Sequence, residues 1–139
     1  MPNPMTDLIA QKGWCEADGA TGSNFFGRGL EAGYPPDLWC VDKPDEVLWL
    51  HGAFLEAGAD IILTNSFGAN APRLKLHKAE RRVAELNQAA AELACEATRQ
   101  HFQGTGRKAV VAGSMGPTGE LFEPMGTLTH ADTVAYFNE

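Results

Sequence analysis

The chain has 139 residues, 44% of them hydrophobic and 21% charged, and a formal net charge of -7. That balance excludes a disordered tail or a coiled coil, and it argues against a nucleic acid partner, because an acidic chain gains nothing from a phosphate backbone. No apolar run approaches the roughly 20 residues of a membrane helix, so no membrane partner is expected.

The first eleven residues lack a positive start followed by an apolar stretch and do not read as a signal peptide. Gly13 to Asp18 reads as a short strand ending in an acid, and Gly19-Ala20-Thr21-Gly22-Ser23 as a small-residue turn. Residues 27–36 are punctuated by Gly27, Gly29, Gly33 and the Pro35-Pro36 pair, as a loop would be. Pro44-Asp45-Glu46 starts a helix that runs to about Ala57, with Val47, Leu50, His51, Phe54 and Leu55 on one face and Gly58 placed to stop it. His51 is expected to be partly buried and hydrogen-bonded.

Ala59 to Thr64 is a brief apolar run without clean alternation, the pattern of a strand buried on both faces. It ends in Thr64-Asn65-Ser66-Phe67-Gly68. A short helical piece over residues 71–76 precedes the longest predicted helix, from Ala79 to about Phe102. Its stripe is Val83, Leu86, Ala90, Leu93, Ala94 and Ala97, and Gly104 and Gly106 end it. The basic stretch from Arg73 to Arg82 reads as a solvated helix face. Lys108 to Ser114 is a third buried-type strand, ending in Met115-Gly116-Pro117-Thr118-Gly119-Glu120. A last helix begins near His130, capped by Thr129 or His130 with Asp132 in its first turn, and the sequence stops at Glu139.

Strand and helix alternate, which calls for a parallel sheet with right-handed crossovers. In such proteins, sites gather at the C-terminal strand ends. Three places there can carry chemistry. Asp18 with the turn amides after it can hold the ammonium and carboxylate of an amino acid, although the same residues also suit an Asx-turn or a helix cap. Thr64, Asn65 and Ser66 can supply neutral hydrogen bonds, with Phe67 as a wall, or can simply cap the loop. The turn around Ser114 to Glu120 brings backbone close to something, with Glu120 either near a substrate or solvated. The glycines match neither a dinucleotide fingerprint nor a phosphate-binding P-loop. Cys15, Cys40 and Cys95 are too far apart for a zinc site or a disulfide framework and fit a reducing cytoplasm. Cys40 is expected in a loop.

In this order and spacing, Asp18-Gly19-Ala20-Thr21-Gly22, Gly58 to Asn70, and Gly113 to Glu120 resemble the homocysteine-binding domain of the homocysteine S-methyltransferase family. Residues 85–97 resemble that family's second helix. The resemblance implies a (β/α)8 TIM barrel, of which this chain supplies the N-terminal portion, since a barrel typically needs about 250 residues. It implies a cytoplasmic enzyme of methionine biosynthesis whose partners are homocysteine and a methyl donor. Three cysteines from later strands hold zinc there, and the metal converts the substrate thiol, with an ordinary pKa of about 8.5, to a thiolate nucleophile. The implied substrate-binding positions are Asp18 for the amino group, Gly19 for the carboxylate, and Thr64, Asn65, Ser66 and Ser114 around the pocket.

Residues 1–139 are thus expected to form one partial domain, truncated before the zinc motifs and inactive alone. Zinc belongs to the complete domain, with no ligand recognised in this chain. A non-catalytic half-barrel that holds a small molecule and pairs with a complementary chain or with itself is the alternative. A phosphate-binding α/β enzyme is a third reading.

Overall fold

The computed structural model describes residues 3–138; Met1, Pro2 and Glu139 lie outside them, so the expected stop at Glu139 does too. In chain order the elements are α1 (Pro4–Lys12), α2 (Thr21–Phe26), α3 (Trp39–Asp42), α4 (Pro44–Ala57), β1 (Ile61–Leu63), α5 (Ala71–Lys75), α6 (Val83–Thr105), β2 (Val110–Ala112) and α7 (His130–Phe137). Single 3-10 turns precede α3 and α6.

The sheet is parallel. Ile61, Ile62 and Leu63 of β1 pair with Val110, Val111 and Ala112 of β2. The predicted first strand is reduced to a parallel bridge between Ala17 and Ile61. It still lies along β1: Glu16 O accepts from the Asp60 amide at 2.7 Å, and the Asp18 amide donates to Ile61 O at 2.9 Å. The spatial order is therefore residues 16–18, β1, β2, and all three run the same way.

Local rules account for the longer helices. Pro44 opens α4 with Asp45 and Glu46 in its first turn, and Gly58 closes it at φ 116°, a left-handed conformation open to glycine. Thr129 and Asp132 form a reciprocal capping box at the start of α7. Helix α6 runs through Gly104 and ends at Gly106, at φ 72°. Of its predicted stripe, Val83, Leu86, Ala90, Ala94 and Ala97 are buried and Leu93 partly so. The alanines keep the stripe thin. Ala94 and Ala97 pack in one cluster with Leu55 of α4 and Ile62 of β1, and Ala90 packs in another with Val47 and Leu50 of α4.

Three short helices differ from the sequence expectation. Residues 21–23, expected as part of a turn, open helix α2, where Phe25 is fully buried and packs tilted against Trp39 with ring centroids 4.9 Å apart. Cys40 is not in a loop but in α3, buried beside Trp39. Helix α1 was signalled by Asn3-Pro4 and Gly13: the Asn3 side chain accepts from the Met5 amide, and Gly13 closes the helix at φ 79°.

The N-terminal strand ends are tied by one acid. Asp60 is 2% exposed; its carboxylate accepts from the Lys12 ammonium at 2.7 Å and the Glu16 amide at 3.0 Å. Those two donors hold it below the usual carboxylate range, the lysine contributing most. Lys12→Ala is expected to lower stability by about 2 kcal/mol, less than for a fully buried pair because Lys12 is partly in water. The urea midpoint reads it, and an unchanged midpoint would show the pair to be inert. The contribution is present above the carboxylate range and is lost as pH falls through the depressed pKa.

Candidate functional site

The loops that leave residues 16–18, β1 and β2 gather at the C-terminal end of the sheet. Between them lies a cleft of about 410 Å³, lined among others by Thr21, Thr64, Asn65, Phe67, Arg73 and Ser114. Asp18 stands at its edge. It is half-buried, and its Oδ2 accepts from the amide of Leu63, itself a lining residue, at 3.0 Å. Burial pushes the Asp18 carboxyl up, and the Leu63 amide partly offsets this. Gly19 packs under α4, where an added Cβ would sit 3.1 Å from the Phe54 ring.

Thr64 and Ser66 are buried, and their hydroxyls close a ring with the main chain of Ser114. The Ser114 amide donates to Thr64 Oγ1 at 2.9 Å, and Ser66 Oγ donates to the Ser114 carbonyl at 2.8 Å. The 2.7 Å contact between the two hydroxyls then has Thr64 as donor, since the one Ser66 proton is already used. Both hydroxyl protons are therefore spent, that of Thr64 within the β1 exit and that of Ser66 across to the β2 exit.

Asn65 ties the β1 exit to the first loop. Its Nδ2 donates to Pro36 O at 2.8 Å, and the Cys40 thiol donates to its backbone carbonyl at 3.3 Å. On this side of the cleft, Asn65 Oδ1 and the Ser114 hydroxyl have no protein partner among the described residues. The structure thus brings Thr64, Asn65 and Ser114 together on one cleft, with Asp18 at its margin and Ser66 beneath. Glu120 is exposed and does not line the cleft.

Two lining residues escaped the sequence reading. Asp37, 5% exposed, accepts from the Gly68 amide at 2.8 Å. A Cβ at 68 would lie 2.8 Å from Asp37 Oδ2, so any larger residue would have to displace that carboxylate. Burial pushes the Asp37 carboxyl up, with the Gly68 amide opposing. Arg73 is exposed, as expected of its basic stretch, and in addition borders the cleft. A proline followed by an acid at 36–37 and the Asn70 cap of α5 at the Arg73 amide were the available signals.

His51 also departs from expectation. It is 2% exposed, and neither ring nitrogen has a hydrogen-bond partner among the described residues.

A larger cleft, about 810 Å³, opens at the opposite end of the strands between α1 and α6. Three of its cations are already engaged: Lys12 with Asp60, Arg99 with Glu96, and Arg107 with the carbonyls of Gly58 and Leu55. None of the predicted site residues borders it.

Among the described residues, no three His, Cys, Asp or Glu side chains come together to hold a metal ion. Cys15 is half-buried, Cys40 buried and Cys95 exposed. Burial pushes the Cys40 thiol up to about 12, so it is protonated at neutral pH. These residues do not fit a zinc centre. No described helix is long and apolar enough to cross a membrane.

A model of the homocysteine S-methyltransferase family matches residues 17–139. Among solved structures, the chain is similar to the homocysteine methyltransferase MmuM of Escherichia coli. Against its metallated form the identity is 26% and the TM-score 0.74, covering 84% of this chain and 42% of that one. Against the oxidised form the identity is again 26% and the TM-score 0.75, covering 85% and 42%. The chain thus spans less than half the length of the MmuM chains it matches.

Proposed function

Since the chain belongs to the homocysteine S-methyltransferase family, we propose that it forms the N-terminal part of a (β/α)8 barrel and binds homocysteine for methyl transfer to its sulfur. The parallel order of residues 16–18, β1 and β2 supports the barrel reading, as does the likeness to part of a homocysteine methyltransferase chain. A methyl donor, a cytoplasmic location and a place in methionine formation belong to the same reading.

The observation that carries it is the Asp18 carboxylate. One oxygen is fixed by the Leu63 amide, while Oδ1 has no protein partner among the described residues. A half-buried carboxylate so anchored suits a ligand ammonium. Gly19 follows it, and its backbone amide is the group assigned to the ligand carboxylate. The free Ser114 hydroxyl and Asn65 Oδ1 offer neutral contacts across the cleft. Thr64 and Ser66 act one step back by holding Ser114 in place.

The zinc implied by the family's chemistry finds no fitting donor set on this chain's described residues. What these residues supply is therefore substrate binding: Asp18 orients the amino acid, and methyl transfer needs donors from beyond them.

Calorimetric titration with L-homocysteine tests the reading. Asp18→Asn is expected to weaken binding about thirtyfold, the loss of one charge-assisted contact. Equal affinity in the variant would remove Asp18 from the pocket.

A further inference from the structure

Arg73 holds a position that the proposed pocket leaves unused. Its backbone is pinned at the start of α5, where the Asn70 side chain accepts from the Arg73 amide at 3.1 Å. Its side chain reaches the strand-end cleft and also borders a second hollow beside it, of about 340 Å³; Pro36, Asp37 and Gly68 line both as well. The exit loop of β2 passes close by. Gly119 stands at φ 85°, and a Cβ there would lie 3.6 Å from Arg73 Cδ and 3.8 Å from Nη1.

The arginines of the larger cleft have partners: Arg99 pairs with Glu96, and Arg107 donates to Gly58 and Leu55 carbonyls. The Arg73 guanidinium has neither a salt bridge nor a hydrogen bond among the described residues. The nearby acid, Asp37, is buried and turned toward the Gly68 amide, and feels Arg73 only through space. On the open side, the cleft offers neutral groups: Thr21, Asn65, Phe67 and Ser114. A planar guanidinium with five donors, fixed at its root and paired with no anion, matches a carboxylate in geometry and charge.

We propose that Arg73 is a carboxylate-anchoring residue of the strand-end cleft, a specificity element for a small carboxylate-bearing ligand. This rests on the amino-acid pocket proposed above. The carboxylate has two sources, homocysteine itself or the second substrate seated beside it.

The test uses the 139-residue chain and its Arg73→Gln variant. The Arg73 side-chain Nε–H resonance is followed by NMR while L-homocysteine, its decarboxylated analogue 3-aminopropane-1-thiol, or sodium acetate is added. The Arg73 resonance is expected to move with a carboxylate and stay still with the aminothiol. Arg73→Gln is expected to weaken the carboxylate ligand about tenfold and to leave the aminothiol unaffected.

If homocysteine moves Arg73 and loses affinity in the variant, the carboxylate is its own. If acetate moves Arg73 while homocysteine is saturating and its affinity is unchanged, the anchor serves the second substrate. If homocysteine fails to bind but acetate still moves Arg73, the substrate reading falls and the anchor stands. If neither carboxylate moves Arg73 and the variant binds homocysteine normally, the anchor is overturned and the substrate reading survives. An Arg73 resonance unmoved by acetate, with no homocysteine binding, overturns both.

Discussion

Gly116→Ala is expected to destabilise the chain by about 3 kcal/mol, at the upper end of what an overpacked methyl costs. A Cβ at this position would lie 2.3 Å from the Phe67 carbonyl oxygen and 2.9 Å from its ring. The nearest obstacle is backbone, so rotation of a side chain cannot relieve it. Phe67 is held from the other side: the next residue's amide donates to buried Asp37, and Ser66 donates to the Ser114 carbonyl. To admit the methyl group, the β1 and β2 exits must separate, and the hydroxyl ring of Thr64 and Ser66 must open. Stability and homocysteine binding therefore fall together. A urea titration beside a homocysteine titration reads both, and a variant of unchanged midpoint would mean that the two loops are not in contact. Gly52→Ala in α4, where an added Cβ meets nothing within 4 Å, is expected to show no such loss.

The second large effect is acid lability from His51. Desolvation lowers its pKa from 6.5 to about 4 in the folded chain. Between those values the unfolded chain binds the proton and the folded chain does not, so stability rises with pH across the window. The contribution is complete above the unfolded value near 6.5 and is lost as pH falls to about 4. At 1.36 kcal/mol per unit the full loss is roughly 3 kcal/mol. Asp18 and Asp37, whose carboxyls burial raises, slope the other way and blunt the raw profile. The difference between the chain and His51→Leu isolates the histidine. That difference is expected to widen as pH falls from 6.5 to 4, and the leucine is expected to gain at neutral pH, since it removes two buried nitrogens without protein partners. A difference that stays constant with pH would show that the ring is protonated in the fold.

Elements that carry their own start and stop were legible in the sequence. Helix α4 has Pro44, two acids and Gly58; helix α7 has Thr129 and Asp132; β1 and β2 have their apolar runs. What could not be read depends on partners distant in the chain. Helix α2 is six residues long and α3 four, too short to show a period, and both exist because Phe25 meets Trp39. Of the first strand, only the bridge between Ala17 and Ile61 forms, and nothing in residues 13–18 announces that. At the site, the residue types of Asp18, Thr64, Asn65, Ser66 and Ser114 were evident, but the division of labour among them was not. Thr64 and Ser66 spend their protons on a carbonyl and a hydroxyl fixed only when residue 114 arrives beside residue 64. Asp37 and Arg73 matter through the place to which the turn before α3 and helix α5 bring them. His51 looked like one more polar residue on an apolar stripe, and only the packing shows that no described residue hydrogen-bonds its ring.

A crystal structure of the chain grown with L-homocysteine decides whether the strand-end cleft is an amino-acid pocket with Asp18 at its ammonium end. The ligand nitrogen is expected within hydrogen-bonding distance of the Asp18 carboxylate, and the ligand carboxylate on the Gly19 backbone or Arg73. An amino acid lodged instead between α1 and α6, or a cleft left empty at saturating ligand, would contradict that pocket.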